Sequence, residues 1–274
     1  PPPPAPMSRN TPVEGWLDGV RLNHFMAYDT NTFRMRYYYN NEFVYENNEE
    51  QNIVIFVGGE WAISPGWARA GLAWELAQRI NGALFYTEHR FYGQTRPFAD
   101  TSVPGLRFLT VDQALGDLAQ FIQYVKSDQN AKVALVGCSY AGSMATWMRL
   151  AYPHLVDAAF SDSGLRNGYS EYTLCPFLGP RKCWCGQPEC VYNSIHSQTH
   201  SVRLWTYQTC VEFGWYQTTN STRQPFLSTV PLEYFHQMCK DFFSTYVWNR
   251  TQTSGSEADH CSTCSTTAQP RAYH

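Results

Sequence analysis

The stretch that most limits how this chain can fold is Gly137-Cys138-Ser139-Tyr140-Ala141-Gly142. It follows an apolar run, Lys132-Val-Ala-Leu-Val136, and leads into helical spacing from Gly142 to Leu150. A strand that turns into a helix within so few residues needs small neighbours, because a side chain at Gly137 or a large one at Ala141 would jam the turn. Similar apolar runs occur at Ile53–Val57, Ala83–Thr87 and Ala158–Ser161. Between them, Trp67–Ile80 and Thr110–Val125 carry apolar residues at helical spacing, the second opening on the capping pair Thr110 and Gln113. Strand alternating with helix predicts an α/β fold: a parallel sheet with helices on both faces. Ahead of it, Phe33–Tyr39, Asn40-Asn41 and Glu42–Tyr45 read as a hairpin.

Ligands of such sheets collect at the carboxyl ends of the strands. That selects Gly58-Gly59-Glu60, Glu88-His89 and the turn at Ser139. A serine on a sharp strand-to-helix turn has its hydroxyl lifted above the sheet. The Tyr140 amide, with one from the 58–60 loop, is placed to hold an oxyanion. Cys138 is expected to point into the core as a structural cysteine rather than act as a thiol nucleophile. Glu88-His89-Arg90 reads as a buried ion-pair network, with Arg90 bridging carboxylates.

Charge narrows the function classes. Lys+Arg number 20 against 23 Asp+Glu, which leaves no basic surplus for a nucleic acid partner. No apolar run is long enough to span a membrane. Pro1–Pro6 predicts a loose arm without the apolar core of a secretory signal. Of nine cysteines, only Cys138 precedes Cys175, so the later region reads as disulfide-stapled in an oxidising compartment. Cys175, Cys183, Cys185, Cys190, Cys261 and Cys264 match no strong zinc template, so no metal and no cofactor is expected. Asn220 and Asn249 head glycosylation sequons.

Several blocks resemble the family of lysosomal and secreted serine exopeptidases that includes prolylcarboxypeptidase, dipeptidyl-peptidase II and thymus-specific serine protease. They are Arg21–Phe25 with Phe33–Tyr38, Gly58–Trp61, Glu88–Gly93, Asp112–Ala119, Gly137–Gly142, Tyr152–Asp157 and Trp205–Gly214. The resemblance implies an α/β-hydrolase core, a Ser-Asp-His triad with Ser139 as nucleophile, and cleavage of short peptides beside proline or a small residue. It implies a Cys210–Cys239 disulfide, a substrate-side place for Glu60 where a carboxylate holds a peptide amine, and a secreted or lysosomal address. The expected organisation is a Pro-rich arm (1–14), the hydrolase core (15–164), a Cys/Pro-rich replacement of the helical cap (165–204), a disulfide-bearing segment (205–246) and a Ser/Thr/Cys-rich tail (247–274). The stretch that supplies the family's acid has no counterpart after Phe243, and Asp259-His260 only faintly echoes its final histidine. A sheet left incomplete at its C-terminal side predicts an open edge, and with it aggregation or pairing into a homodimer. A non-catalytic relative that binds rather than cleaves is the rival reading.

Overall fold

The computed structural model describes residues 3–44, 52–126, 131–164, 171–173, 201–214, 216–219 and 230–255. The chain divides into two compact units, residues 1–167 with 197–205, and residues 168–196 with 206–274.

The first unit is built on six strands, β1 (Val13–Arg21), β2 (Thr32–Asn40), β3 (Ile53–Phe56), β4 (Ala83–Thr87), β5 (Val133–Cys138) and β6 (Ala158–Asp162), in the order β1-β2-β4-β3-β5-β6. The pairs β4·β3, β3·β5 and β5·β6 are parallel, as an α/β-hydrolase-type sheet requires. The two pairs made by β2 are antiparallel, so the sheet is mixed rather than wholly parallel. β3 lies between two parallel neighbours with all four side chains buried, which is why it reads as an unbroken apolar run.

Side-chain alternation sends the sheet's residues to two opposite layers. Val54, Phe56, Leu84 and Tyr86 share one cluster with Ala73, Trp74 and Ala77 of α1 (Leu72–Arg79). Phe85 instead meets Phe121 of α3 (Val111–Val125), with ring centroids 5.7 Å apart. Between α1 and α3 a single turn, α2 (Val103–Leu106), interrupts the loop. The start of α3 makes only half of the expected capping box. Thr110 Oγ1 accepts from the Gln113 amide, while the Gln113 side chain turns away and accepts from the His24 amide.

Several expectations are corrected here. Phe33–Asn40 pairs with β1 and β4, and Glu42-Phe43 form a turn where the second strand of the hairpin was expected to begin; Tyr45 lies outside the described residues. The stretch 67–80 divides into a 3-10 turn at Pro65–Ala68 and α1, because Gly71 takes a left-handed φ of 91° between them. Just after the proline-rich start, the chain is held in place at Met7 and Ser8. The Met7 and Ser8 amides donate to the Arg69 carbonyl, and Asn40 Nδ2 donates to Ser8 Oγ.

In the second unit, β7 (Glu171–Thr173) pairs in parallel with β8 (Tyr216–Thr218). Of helix α5 (Ser201–Gln208) only Thr206–Gln208 belong to this unit; they run on into a π turn at Thr209–Phe213, and α6 covers Leu232–Gly255. Cys210 and Cys239 form a disulfide, as the family resemblance implied. Tyr216 stacks on Phe235, and its hydroxyl lies 3.5 Å from Cys239 Sγ.

Candidate active site

β5 ends at Cys138, and α4 (Tyr140–Ala151) begins one residue after Ser139. Ser139 holds φ 57° and ψ −129°, in the region that L-residues avoid, and it is exposed while Gly137 and Tyr140–Ala145 are buried. Such a conformation costs about 1–3 kcal/mol and persists only where its surroundings dictate it. They do so here. The Ser139 amide donates to the Asp162 carbonyl of β6 at 2.9 Å, and the Ser139 carbonyl accepts from the Gly142 and Ser143 amides.

The expected oxyanion elements lie where strand order places them. A Cβ on Gly58 would fall 2.1 Å from the Thr87 carbonyl oxygen, so only glycine lets the loop after β3 pass the end of β4. A Cβ on Gly59 would lie 2.8 Å from the Trp61 ring and 3.4 Å from Ala141 Cβ, which brings this loop against the first turn of α4. Glu60 is largely buried. Burial raises its carboxyl above the ordinary range, and Oε2 is sealed from solvent with no hydrogen-bond partner among the described residues.

The elbow rests on His89 and Tyr140. His89 Nδ1 lies 2.8 Å from the Arg90 carbonyl, which can only accept, so Nδ1 carries the proton. Nε2 is then the acceptor for the Tyr140 hydroxyl at 3.1 Å. Burial pushes the imidazole down to about 4, so His89 is neutral. Below pH 6.5 the unfolded chain takes up a proton that the folded chain refuses until about pH 4. The contribution of His89 to stability is therefore complete above pH 6.5 and shrinks as pH falls toward 4, by up to about 1.4 kcal/mol per unit. His89→Gln should flatten this part of the slope when urea midpoints are compared at several pH values. Parallel profiles for the two proteins would refute it.

Behind the elbow, two buried ion pairs join distant segments. Arg90 donates from Nε and Nη2 to the two Asp117 oxygens at 2.6 and 2.5 Å and from Nη1 to the Leu22 and Phe108 carbonyls, while His24 Nε2 lies 2.7 Å from Asp117 Oδ1. Arg36 donates to both oxygens of Glu88. The expected buried ion-pair network is present, but Arg90 clasps the single carboxylate of Asp117 rather than bridging two, and Glu88 is held by Arg36.

Cys138 departs from expectation. It is half-buried, and Sγ points to Asp162 Oδ2 at 3.5 Å rather than into the core. The cause is position: β6 is exposed along most of its length, at Ala158–Phe160 and Asp162, so a side chain at the end of its neighbour is only partly covered. Burial and the Asp162 contact raise the thiol, which argues against a thiolate nucleophile. Asp259, His260, Asn220 and the cysteines at 175, 183, 185, 190, 261 and 264 lie outside the described residues, while Asn249 falls within α6. Among the described residues, no group of His, Cys, Asp and Glu forms a metal cluster, and no helix is long and apolar enough to cross a membrane.

The family model described as serine carboxypeptidase S28 matches residues 20–168 and 184–264. Human lysosomal Pro-X carboxypeptidase is 33% identical over 150 residues, covering 52% of this chain and 30% of that protein. The thymus-specific serine protease of Mus musculus is 36% identical over 156 residues, covering 56% of this chain and 30% of that protein. The chain thus spans less than a third of the length of these curated relatives. Among solved structures, Pyrococcus horikoshii acylaminoacyl peptidase superposes with a TM-score of 0.39 at 14% identity, over 59% of this chain and 24% of that one.

Proposed function

Since this chain belongs to the serine carboxypeptidase S28 family, we propose that it is a serine-type exopeptidase that hydrolyses short peptides through an acyl-enzyme on Ser139. The observation that carries this is the exposed Ser139 at φ 57° on the turn from β5 into α4. In this reading Ser139 Oγ attacks the scissile carbonyl while a base takes its proton. The carbonyl oxygen becomes an oxyanion facing the Tyr140 amide and an amide of the 58–60 loop, and departure of the amine leaves the acyl-enzyme for water. Cleavage beside proline or a small residue rests on the family resemblance rather than on this site. The disulfide at Cys210 supports a secreted or lysosomal setting, with Asn220 and Asn249 as sugar acceptors. The exposed Phe160 and the β6 edge support pairing of two copies.

A fluorophosphonate probe tests the reading. Wild-type protein is expected to label and Ser139→Ala to give no labelling. A folded wild-type chain that stays unlabelled would favour the non-catalytic relative.

A further inference from the structure

We propose that His89 is a positioning residue for the oxyanion hole, setting the direction of the Tyr140 amide through the Tyr140 hydroxyl; this rests on the peptidase reading above. Tyr140 is the first residue of α4, and in that reading its amide is an oxyanion donor. The first amides of a helix have no carbonyl partner inside it, so the direction of this one follows from how the first turn is held. Ala141 and Gly142 bring no polar side chain to that task. Tyr140 brings a rigid one. Its ring is buried, with centroids 5.5 Å from His89 and 5.6 Å from Trp205, and the hydroxyl at its far end lies 3.1 Å from His89 Nε2. A tyrosine has only two side-chain torsions, so a fixed hydroxyl and a packed ring leave the backbone at this position little room to turn.

His89 is itself held from behind. Its Nδ1 donates to the Arg90 carbonyl at 2.8 Å, and its ring meets Tyr92 edge-on with centroids 5.2 Å apart. The Arg90 side chain is clasped in turn by Asp117 of α3 and by the Leu22 and Phe108 carbonyls. Support therefore runs from α3, through the pair His89-Arg90 after β4, to the first residue of α4. Two other roles suit His89 poorly. A general base for Ser139 needs a ring nitrogen able to take the proton, and both are engaged, one with the Arg90 carbonyl and one with the Tyr140 hydroxyl. Filling for the core is better done by an apolar side chain, since a buried imidazole needs a partner for each nitrogen.

The test is the kinetics of fluorophosphonate labelling, followed over probe concentration so that binding and reaction separate, with urea midpoints measured alongside. Tyr140→Phe keeps the ring and removes only the hydroxyl. In folded protein it is expected to lower the maximal labelling rate about 10-fold and leave the half-saturating probe concentration unchanged. That is part of the roughly 100–1,000-fold that loss of a whole oxyanion donor costs. His89→Leu should lower the rate equally, and His89→Leu with Tyr140→Phe should lower it no further, because both ends belong to one bond. His89→Gln, whose amide oxygen can still accept, should keep part of the rate. A role in stability alone predicts lower urea midpoints with wild-type labelling rates. An unchanged maximal rate in Tyr140→Phe, a loss confined to probe binding, or losses that multiply in the double variant would each overturn the proposal. Tyr140→Phe decides the matter even where His89→Leu fails to fold. A folded wild type that stays unlabelled removes the peptidase reading and the positioning role with it, whereas a labelled wild type with an unaffected Tyr140→Phe removes the positioning role alone.

Discussion

Glu88→Ala is expected to cost about 3–5 kcal/mol, the scale for breaking a buried ion pair by removing one partner. Glu88 is fully buried, and its two oxygens accept from Arg36 Nη2 and Nε, from the Ile63, Gln94 and Thr95 amides and from Thr95 Oγ1. The donors come from β2, from the loop after β3 and from the loop after β4, so one carboxylate ties three segments at the ligand end of the sheet. Truncation leaves the Arg36 charge buried, and each orphaned donor adds its own desolvation cost. Against a total stability of about 5–15 kcal/mol, much of the margin disappears. Glu88→Leu combined with Arg36→Met should regain part of the loss, since no charge then stays uncompensated. Urea unfolding of the three proteins decides the matter, and a loss under about 1 kcal/mol for Glu88→Ala would contradict the network.

Gly137→Ala should lower fluorophosphonate labelling of Ser139 by about 100-fold or more, the scale for displacing a reacting group by around 1 Å. The added Cβ would lie 2.1 Å from the Ala141 carbonyl oxygen, 2.5 Å from its carbon and 2.8 Å from the Gly142 nitrogen. All three are backbone atoms in the first turn of α4, so no rotamer change relieves the overlap, and the helix start carrying the Tyr140 amide must move. Gly19→Ala is the matched control. Its φ of 73° strains an alanine, but nothing lies within 4 Å of the new Cβ, and it is remote in sequence from the elbow. It should cost about 1 kcal/mol and leave labelling of correctly folded protein intact. Equal labelling of the two variants would show that the turn tolerates a side chain.

The parts of the fold legible in the sequence were those where local pattern and final environment coincide. β3 and β4 are buried on both faces and are apolar but for Thr87 at the end of β4, and the turn at Ser139 is marked by its own small residues. β1 escaped notice because it has little pattern of its own: Gly15, Asp18 and Gly19 interrupt it, its register shifts between Leu17 and Val20, and only those two residues are buried. The false hairpin had a related cause. Asn40-Asn41 looks like a turn between strands, yet the partners of β2 lie on β1 and β4, and nothing local to β2 encodes that choice. In the candidate site, the sharp turn at Ser139 and the glycines of the 58–60 loop could be read from motif and spacing. The bond from His89 to Tyr140, 51 residues away, and that from Arg36 to Glu88, 52 away, could not, because topology alone brings them together.

The left-handed backbone at Ser139 also bears on how such a chain changes over generations. A serine kept at φ 57° is retained against its own conformational preference, and glycine at the same place would relieve that strain. On the reading that Ser139 is acylated, selection for that step keeps the strained residue in place. In a duplicated copy released from that selection, the substitution that removes the hydroxyl is also one that firms the fold. Descendants of this chain that have given up chemistry should therefore drift toward glycine at this position sooner than toward alanine.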